Sequence, residues 1–160
     1  MLKKNNNILL IFILVIISLS VISAFIIEYK LEHQPCKLCL YQRIPYFLAI
    51  LLIIKIIFFK KYEKVILLIL FLVFMSSAAL AFYHFGIEQG FFKESLACTT
   101  TNLSENLTKE ELLKRLDQNT IGCKNVSFRI FGVSLAAINT IFSVALSAIF
   151  TRIYINYGKN

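Results

Sequence analysis

The sequence predicts an all-α membrane protein, a four-transmembrane-helix bundle made of one domain over residues 1–160, with both termini cytoplasmic and one long loop on the outer side. Three observations lead there. Of the 160 residues 58% are hydrophobic and none is tryptophan, and the mean hydropathy is +0.74, a balance that belongs to integral membrane proteins. The apolar residues fall into four blocks, placing spans at about 8–27, 40–59, 65–85 and 131–150. The basic residues gather between and beyond those blocks in a pattern that orients them.

The first block, Ile8 to Ile27, follows Lys3 and Lys4. A signal-peptide core runs about 7–15 residues. This run is longer, so it reads as an anchor. The second block, Ile44 to Phe59, falls short of the roughly 20 residues a crossing helix needs, unless its helix begins near Cys39 and carries Arg43 in its first turn. The third and fourth blocks, Val65 to Phe85 and Phe131 to Phe150, are long enough as they stand.

The net charge is +8, but its placement argues against a nucleic-acid partner. Lys3, Lys4, Lys60, Lys61, Lys64, Arg152 and Lys159 lie at the two ends and in the link "KKYEK". Short basic segments stay in the cytoplasm. The loops at about 28–39 and 86–129 therefore lie outside, and the charge reports topology in a lipid bilayer.

All four cysteines, Cys36, Cys39, Cys98 and Cys123, fall in or beside those outer segments. An even number on an oxidising side reads as disulfides, and four cysteines allow three connectivities. The most economical pairs Cys36 with Cys39 and Cys98 with Cys123. A bridge across the second loop is worth roughly 3.5 kcal/mol by the chain-entropy estimate. The ring between Cys36 and Cys39 is too small to constrain much, and a C-x-x-C pair suits redox chemistry better, because its thiolate is readily stabilised. A helix starting near Cys39 would bring its positive end and Arg43 to that sulfur; an arginine at a helix end otherwise serves to reach the headgroups.

In the long loop Thr108 and Glu111 form a capping box and Leu107 can staple on Leu112, which predicts a short amphipathic helix over about 109–118. The sequons at Asn102, Asn106 and Asn125 are read as chance triplets of an asparagine-rich loop. "YHFGIEQGFF" closes the third span with His84 at the outer interface, a position where most histidines bind water or headgroups. Asn139 in the fourth span is expected to bond across to another helix. His33 is given no role.

Taken in order, "CKLCLYQR" after a first span, Cys98 and Cys123 in the loop, "YHFGIEQGFF", and "FRIFGVSLAAIN" resemble the DsbB family of bacterial disulfide bond formation proteins. Gln42 departs from that pattern, in which a glutamate precedes the arginine. The resemblance implies an inner-membrane thiol:quinone oxidoreductase, its redox cysteines facing the periplasm, that reoxidises a DsbA-like periplasmic thiol oxidase and passes two electrons to ubiquinone or menaquinone. Carried onto this chain, Cys98 would form the mixed disulfide with the partner and Cys123 would exchange with Cys36. Cys39 would be left as the thiolate facing quinone, with Arg43, and more weakly His84, at the cofactor.

Other readings compete. A non-catalytic four-span scaffold with structural loop disulfides explains Cys98 and Cys123 well but Cys36 and Cys39 poorly. A structural zinc site built on four cysteines normally has two close pairs, and Cys98 and Cys123 are far apart, so no metal is expected. A reversed flow of reducing equivalents would need thiols reachable from the cytoplasm, and the sequence has none there.

Overall fold

A computed structural model of the chain describes residues 4–93, 123, 129–130 and 132–157. Cys98, the helix expected over 109–118 and the sequons lie outside the described residues. The elements are α1 (Lys4–Tyr29), α2 (Lys37–Tyr41), α3 (Ile44–Phe58), α4 (Glu63–Glu88), a two-stranded antiparallel ladder of β1 (Arg129–Ile130) and β2 (Val133–Ser134), and α5 (Leu135–Ile155). Four segments are long and apolar enough to cross a membrane: Asn6–Tyr29, Lys37–Phe58, Glu63–Glu88 and Leu135–Ile155.

The second segment differs from the expected single helix starting near Cys39. Cys36 is extended and caps α2, its sulfur accepting from Cys39 N–H at 3.3 Å. The chain then breaks at Gln42 and Arg43 before α3, and Pro45 supplies the reason. A continuous helix would set the proline ring against the carbonyl of Tyr41, four residues back, with no N–H to bond it. Placed in the first turn of a new helix, Pro45 costs nothing. The positive end of the short helix thus serves Cys36 rather than Cys39, and Arg43 becomes the cap residue of α3.

Helix α4 ends in a Schellman motif. Gly90 takes φ +79°, Phe91 N–H reaches back to the Gly86 carbonyl at 2.8 Å, and Gly90 N–H reaches that of Ile87 at 3.0 Å. The fourth span starts later than the apolar block does, at Leu135, because the chain first turns through the small β ladder at Gly132, which has φ +82°. Ser134 then caps α5 by accepting from Ala137 N–H at 3.3 Å.

Helices α4 and α5 make the most extensive contact in the bundle. Small residues allow it: Ser77, Ala78 and Ala81 face Ala136, Ser143 and Ser147, all buried, the close approach by which membrane helices associate. The two serine hydroxyls Ser77 and Ser143 bond across at 3.2 Å. Below them Phe74 stacks on Phe150 at 5.6 Å and meets the edge of Tyr46 at 5.8 Å. Outward-facing Ile8, Phe12, Leu51, Leu72 and Ile141 are exposed, so the helices are apolar on both faces, as a lipid-facing bundle requires.

Candidate functional site: a dithiol beside an apolar cavity

Cys36 and Cys39 are free thiols in this structure, with Sγ atoms 2.9 Å apart; the expected bridge is open. One turn of α2 separates the two residues, so both sulfurs point to the same side. Cys123 is disulfide-bonded, its expected mate Cys98 lying outside the described residues. It is 2% exposed and packs in one buried cluster with Cys36, Leu38 and Ile87. The loop cysteine and the C-x-x-C pair, remote in sequence, are therefore neighbours.

His84 is the residue that the structure moves furthest from its expected setting. It is 3% exposed, held inside α4, and its Nε2 lies 3.5 Å from Cys36 Sγ. It touches the sulfur. Its Nδ1 accepts from Gln42 Nε2 at 3.0 Å. Gln42 Oε1 in turn accepts from Asn139 Nδ2 at 2.7 Å, and Asn139 Oδ1 accepts from Tyr46 Oη. In this arrangement of the chain Nδ1 accepts, so the proton sits on Nε2 and faces Cys36. Asn139 bonds between helices, as its sequence position suggested. Gln42, the departure from the family pattern, is the buried hinge of the chain.

Three donors converge on the Cys36 sulfur, and they hold its pKa down to about 4 from 9.0. The largest contribution is the Cys39 side chain; burial opposes it, and His84 then lowers it further by hydrogen bond and charge, followed by the Cys39 backbone N–H. In the reduced pair the thiolate thus belongs to Cys36. The helix end and Arg43 led to the expectation of a thiolate at Cys39; the structure corrects it, because α2 starts at Lys37 with Cys36 as its cap and Arg43 pairs with Glu28. The Cys39 thiolate that the resemblance implies belongs to the state in which Cys36 is engaged in a bridge.

On its other side Cys39 borders a cavity of about 450 Å³ whose wall is largely apolar, from Leu19, Ala24 and Ile27 of α1 and Ala136 and Phe142 of α5. The polar groups on that wall include Arg43, Glu28, Gln42, Tyr46, Asn139 and His33, so His33 is not remote from the site. Arg43 donates through Nη1 to Glu28 Oε2 and lies over the Phe25 ring at 5.0 Å. Its immediate partner is Glu28, which anchors the cation at the cavity edge. His84 is absent from that wall.

Glu88, one turn beyond His84 on α4, was not anticipated. Its Oε1 lies 3.7 Å from His84 Nε2 and its side chain is 6% exposed, while Oε2 has no hydrogen-bond partner among the described residues. The i, i+4 spacing of His84 and Glu88 was the signal that could have found it.

Fold and site together define a class: a multi-pass membrane protein whose largely buried dithiol sits between a disulfide-bonded loop cysteine and an apolar cavity. The chain belongs to the family of the disulfide bond formation protein DsbB, which it matches over residues 6–153. Membership makes it, in general terms, a thiol oxidoreductase of the disulfide-forming machinery. A protein of Rickettsia prowazekii (strain Madrid E), described as uncharacterized, is 26% identical over 161 residues, covering 99% of this chain and 93% of the relative. No solved structure matches the chain.

Proposed function

We propose that this protein is an inner-membrane thiol:quinone oxidoreductase that reoxidises a DsbA-like periplasmic partner, with both termini cytoplasmic and the whole chain acting as one domain. The observation that carries the reading is the position of Cys39, whose sulfur lies 2.9 Å from Cys36 on one side and borders an apolar cavity on the other. A scaffold needs no such arrangement.

The cavity suits a quinone ring. Its volume falls within the range of small-molecule pockets, and an apolar wall carrying a few hydrogen-bonding groups is their usual chemistry. Tyr46, Gln42 and Asn139 offer hydrogen bonds and Arg43 a cation for carbonyl oxygens, whether of ubiquinone or menaquinone. Bound there, a quinone supplies a two-electron, two-proton acceptor. Arg43, steadied by Glu28, stabilises negative charge at that end of the cavity.

The protein's own steps are thiol exchanges. Cys98 takes the partner's reactive sulfur in a mixed disulfide, and the partner's second thiol then closes its own bridge and releases the reduced Cys98–Cys123 pair. The Cys123 thiolate attacks a Cys36–Cys39 disulfide at Cys36, with which it shares a cluster, and Cys39 leaves as thiolate toward the cavity. Cys98 then displaces Cys36, restoring the loop bridge and leaving the Cys36–Cys39 dithiol. Closing that dithiol to a disulfide gives up two electrons and two protons to the acceptor. His84, proton on Nε2, steadies Cys36 as thiolate whenever it is a leaving group.

The test is anaerobic. Oxidised protein in detergent is mixed with a reduced DsbA-like protein and a quinone, and quinol formation is followed by absorbance. The parent should turn over and Cys39→Ser should not; equal rates would remove Cys39 from the mechanism.

A further inference from the structure

Cys36, Cys39, His84 and Glu88 bring two sulfurs, an imidazole and a carboxylate together from two helices. The three ligand atoms Cys36 Sγ, Cys39 Sγ and His84 Nε2 all lie within 4.8 Å of one another. The C-x-x-C turn of α2 gives one pair, and His84 with Glu88, one turn apart on α4, gives the other. This is not the four-cysteine zinc site that the spacing of Cys98 and Cys123 disfavours.

We propose that the reduced dithiol, with His84 and Glu88, forms a redox-gated site for a thiophilic divalent cation such as Zn²⁺. Four arguments support it. The ligand types, two thiolates, an imidazole and a carboxylate, are those zinc takes in tetrahedral sites. With bonds of about 2.3 Å to sulfur and 2.0 Å to nitrogen, a tetrahedral ion sets sulfur and nitrogen about 3.5 Å apart and two sulfurs about 3.8 Å apart. Cys36 Sγ and His84 Nε2 already stand at 3.5 Å, so within this trio only the sulfurs, at 2.9 Å, have to open, while the Glu88 side chain has to swing in. Glu88 Oε2, buried without a hydrogen-bond partner among the described residues, is an acceptor lacking a cation, and Oε1 lies 3.7 Å from the ligating nitrogen.

The polar chain behind His84 accommodates this. Ligation needs the lone pair on Nε2 and hence the proton on Nδ1. Turning over the amides of Gln42 and Asn139 presents Gln42 Oε1 to Nδ1–H, lets Gln42 Nε2 donate to Asn139 Oδ1, and lets Asn139 Nδ2 donate to Tyr46 Oη. The tyrosine hydroxyl then donates to Ser143 Oγ, which lies 3.4 Å away. Every hydrogen bond along the chain is kept, with its direction reversed. Such a partner on the far nitrogen orients a metal-bound histidine.

Binding displaces the remaining thiol protons to water and changes no oxidation state. Disulfide formation removes both thiolates, so the site exists only in the reduced enzyme, and an occupied site withholds the dithiol from oxidation. The site does not depend on the identity of the electron acceptor, and the experiment measures binding rather than turnover.

The probe is Co²⁺, with Zn²⁺ as competitor, added anaerobically to full-length Cys98→Ser, Cys123→Ser protein in detergent, so that Cys36 and Cys39 are the only thiols. The reduced form should bind one Co²⁺ with the intense visible bands of a tetrahedral thiolate site, and Zn²⁺ should bleach them; the disulfide form should bind none. Glu88→Gln and His84→Phe should each weaken affinity at least tenfold, since losing a ligand costs no less than losing an outer-shell partner, whose removal costs about tenfold to a hundredfold, with far-UV circular dichroism and thiol titre unchanged. X-ray absorption at the zinc edge of the reduced form should show two sulfur ligands and an imidazole, a result that needs no further variant. Equal binding by reduced and oxidised forms, undiminished affinity in both variants, or zinc without imidazole would overturn the site and leave only ordinary dithiol chelation.

Discussion

The acidity of Cys36 can be dissected donor by donor. Its pKa of about 4, against 9.0 for a free thiol, rests first on the Cys39 side chain and next on His84, working against burial. A hydrogen bond to a charged group is worth about 1.5–3 kcal/mol, and 1.36 kcal/mol corresponds to one pH unit. His84→Phe should therefore raise the Cys36 midpoint by about 1–2 units, and Cys39→Ala, which removes the larger contribution, by more, both remaining below 9.0. The thiolate is the form that alkylates, so the iodoacetamide rate at Cys36 climbs with pH through the midpoint and levels off above it. In the parent the plateau should extend down to about pH 5. At that pH the His84→Phe rate should fall roughly twofold to tenfold below its own plateau, and the Cys39→Ala rate further. Peptide mass spectrometry read at Cys36 separates it from the other sulfurs. A parent midpoint near 9.0, or one that neither substitution moves, would refute the convergence of donors on Cys36.

Three further outcomes follow from the geometry. Arg43→Ala should raise the KM for quinone roughly tenfold to a hundredfold, the equivalent of losing a charged hydrogen bond, and leave the KM for the thiol partner nearly unchanged; steady-state kinetics with each substrate varied in turn would show the opposite if the cation served partner docking. Gly132→Ala should destabilise the turn before α5 by about 1 kcal/mol or more, because its φ of +82° is disfavoured for any residue with a Cβ, and a thermal melt in detergent measures the shift. Ser77→Leu should cost about 1–3 kcal/mol by forcing α4 and α5 apart where Ser77 and Ser143 are in contact; an unchanged melting temperature would show that the interface yields.

Much of the architecture was legible because lipid imposes a simple rule on a chain. A segment that crosses hydrocarbon must bury its backbone bonds within itself and show apolar side chains, so the four spans stand out as blocks. Asn139 was legible for the same reason, since a polar group at that depth has to find a partner. The helix break was less so: Pro45 was visible, but the start at Lys37 depends on Cys36 capping the turn with its own sulfur, a role its residue type does not advertise. Glu88 looked like an ordinary polar residue at a span end, and Gln42 stood out only as a departure from the family pattern; both turned out to be buried at the site.

By itself the sequence determined that the chain makes four apolar helices and carries a C-x-x-C pair at the head of the second, because those properties depend on composition and on neighbours a turn away. Only the tertiary structure added the second donor to the Cys36 sulfur, since packing α4 beside α2 brings His84, 48 positions along the chain, within 3.5 Å of it, on top of the local hydrogen bonds from Cys39. It also decided that Arg43 pairs with Glu28 while Cys39 faces a cavity between α1 and α5. Charges and hydrogen bonds act over a few ångströms, and which groups come that close is set by the way helices pack rather than by their order along the chain.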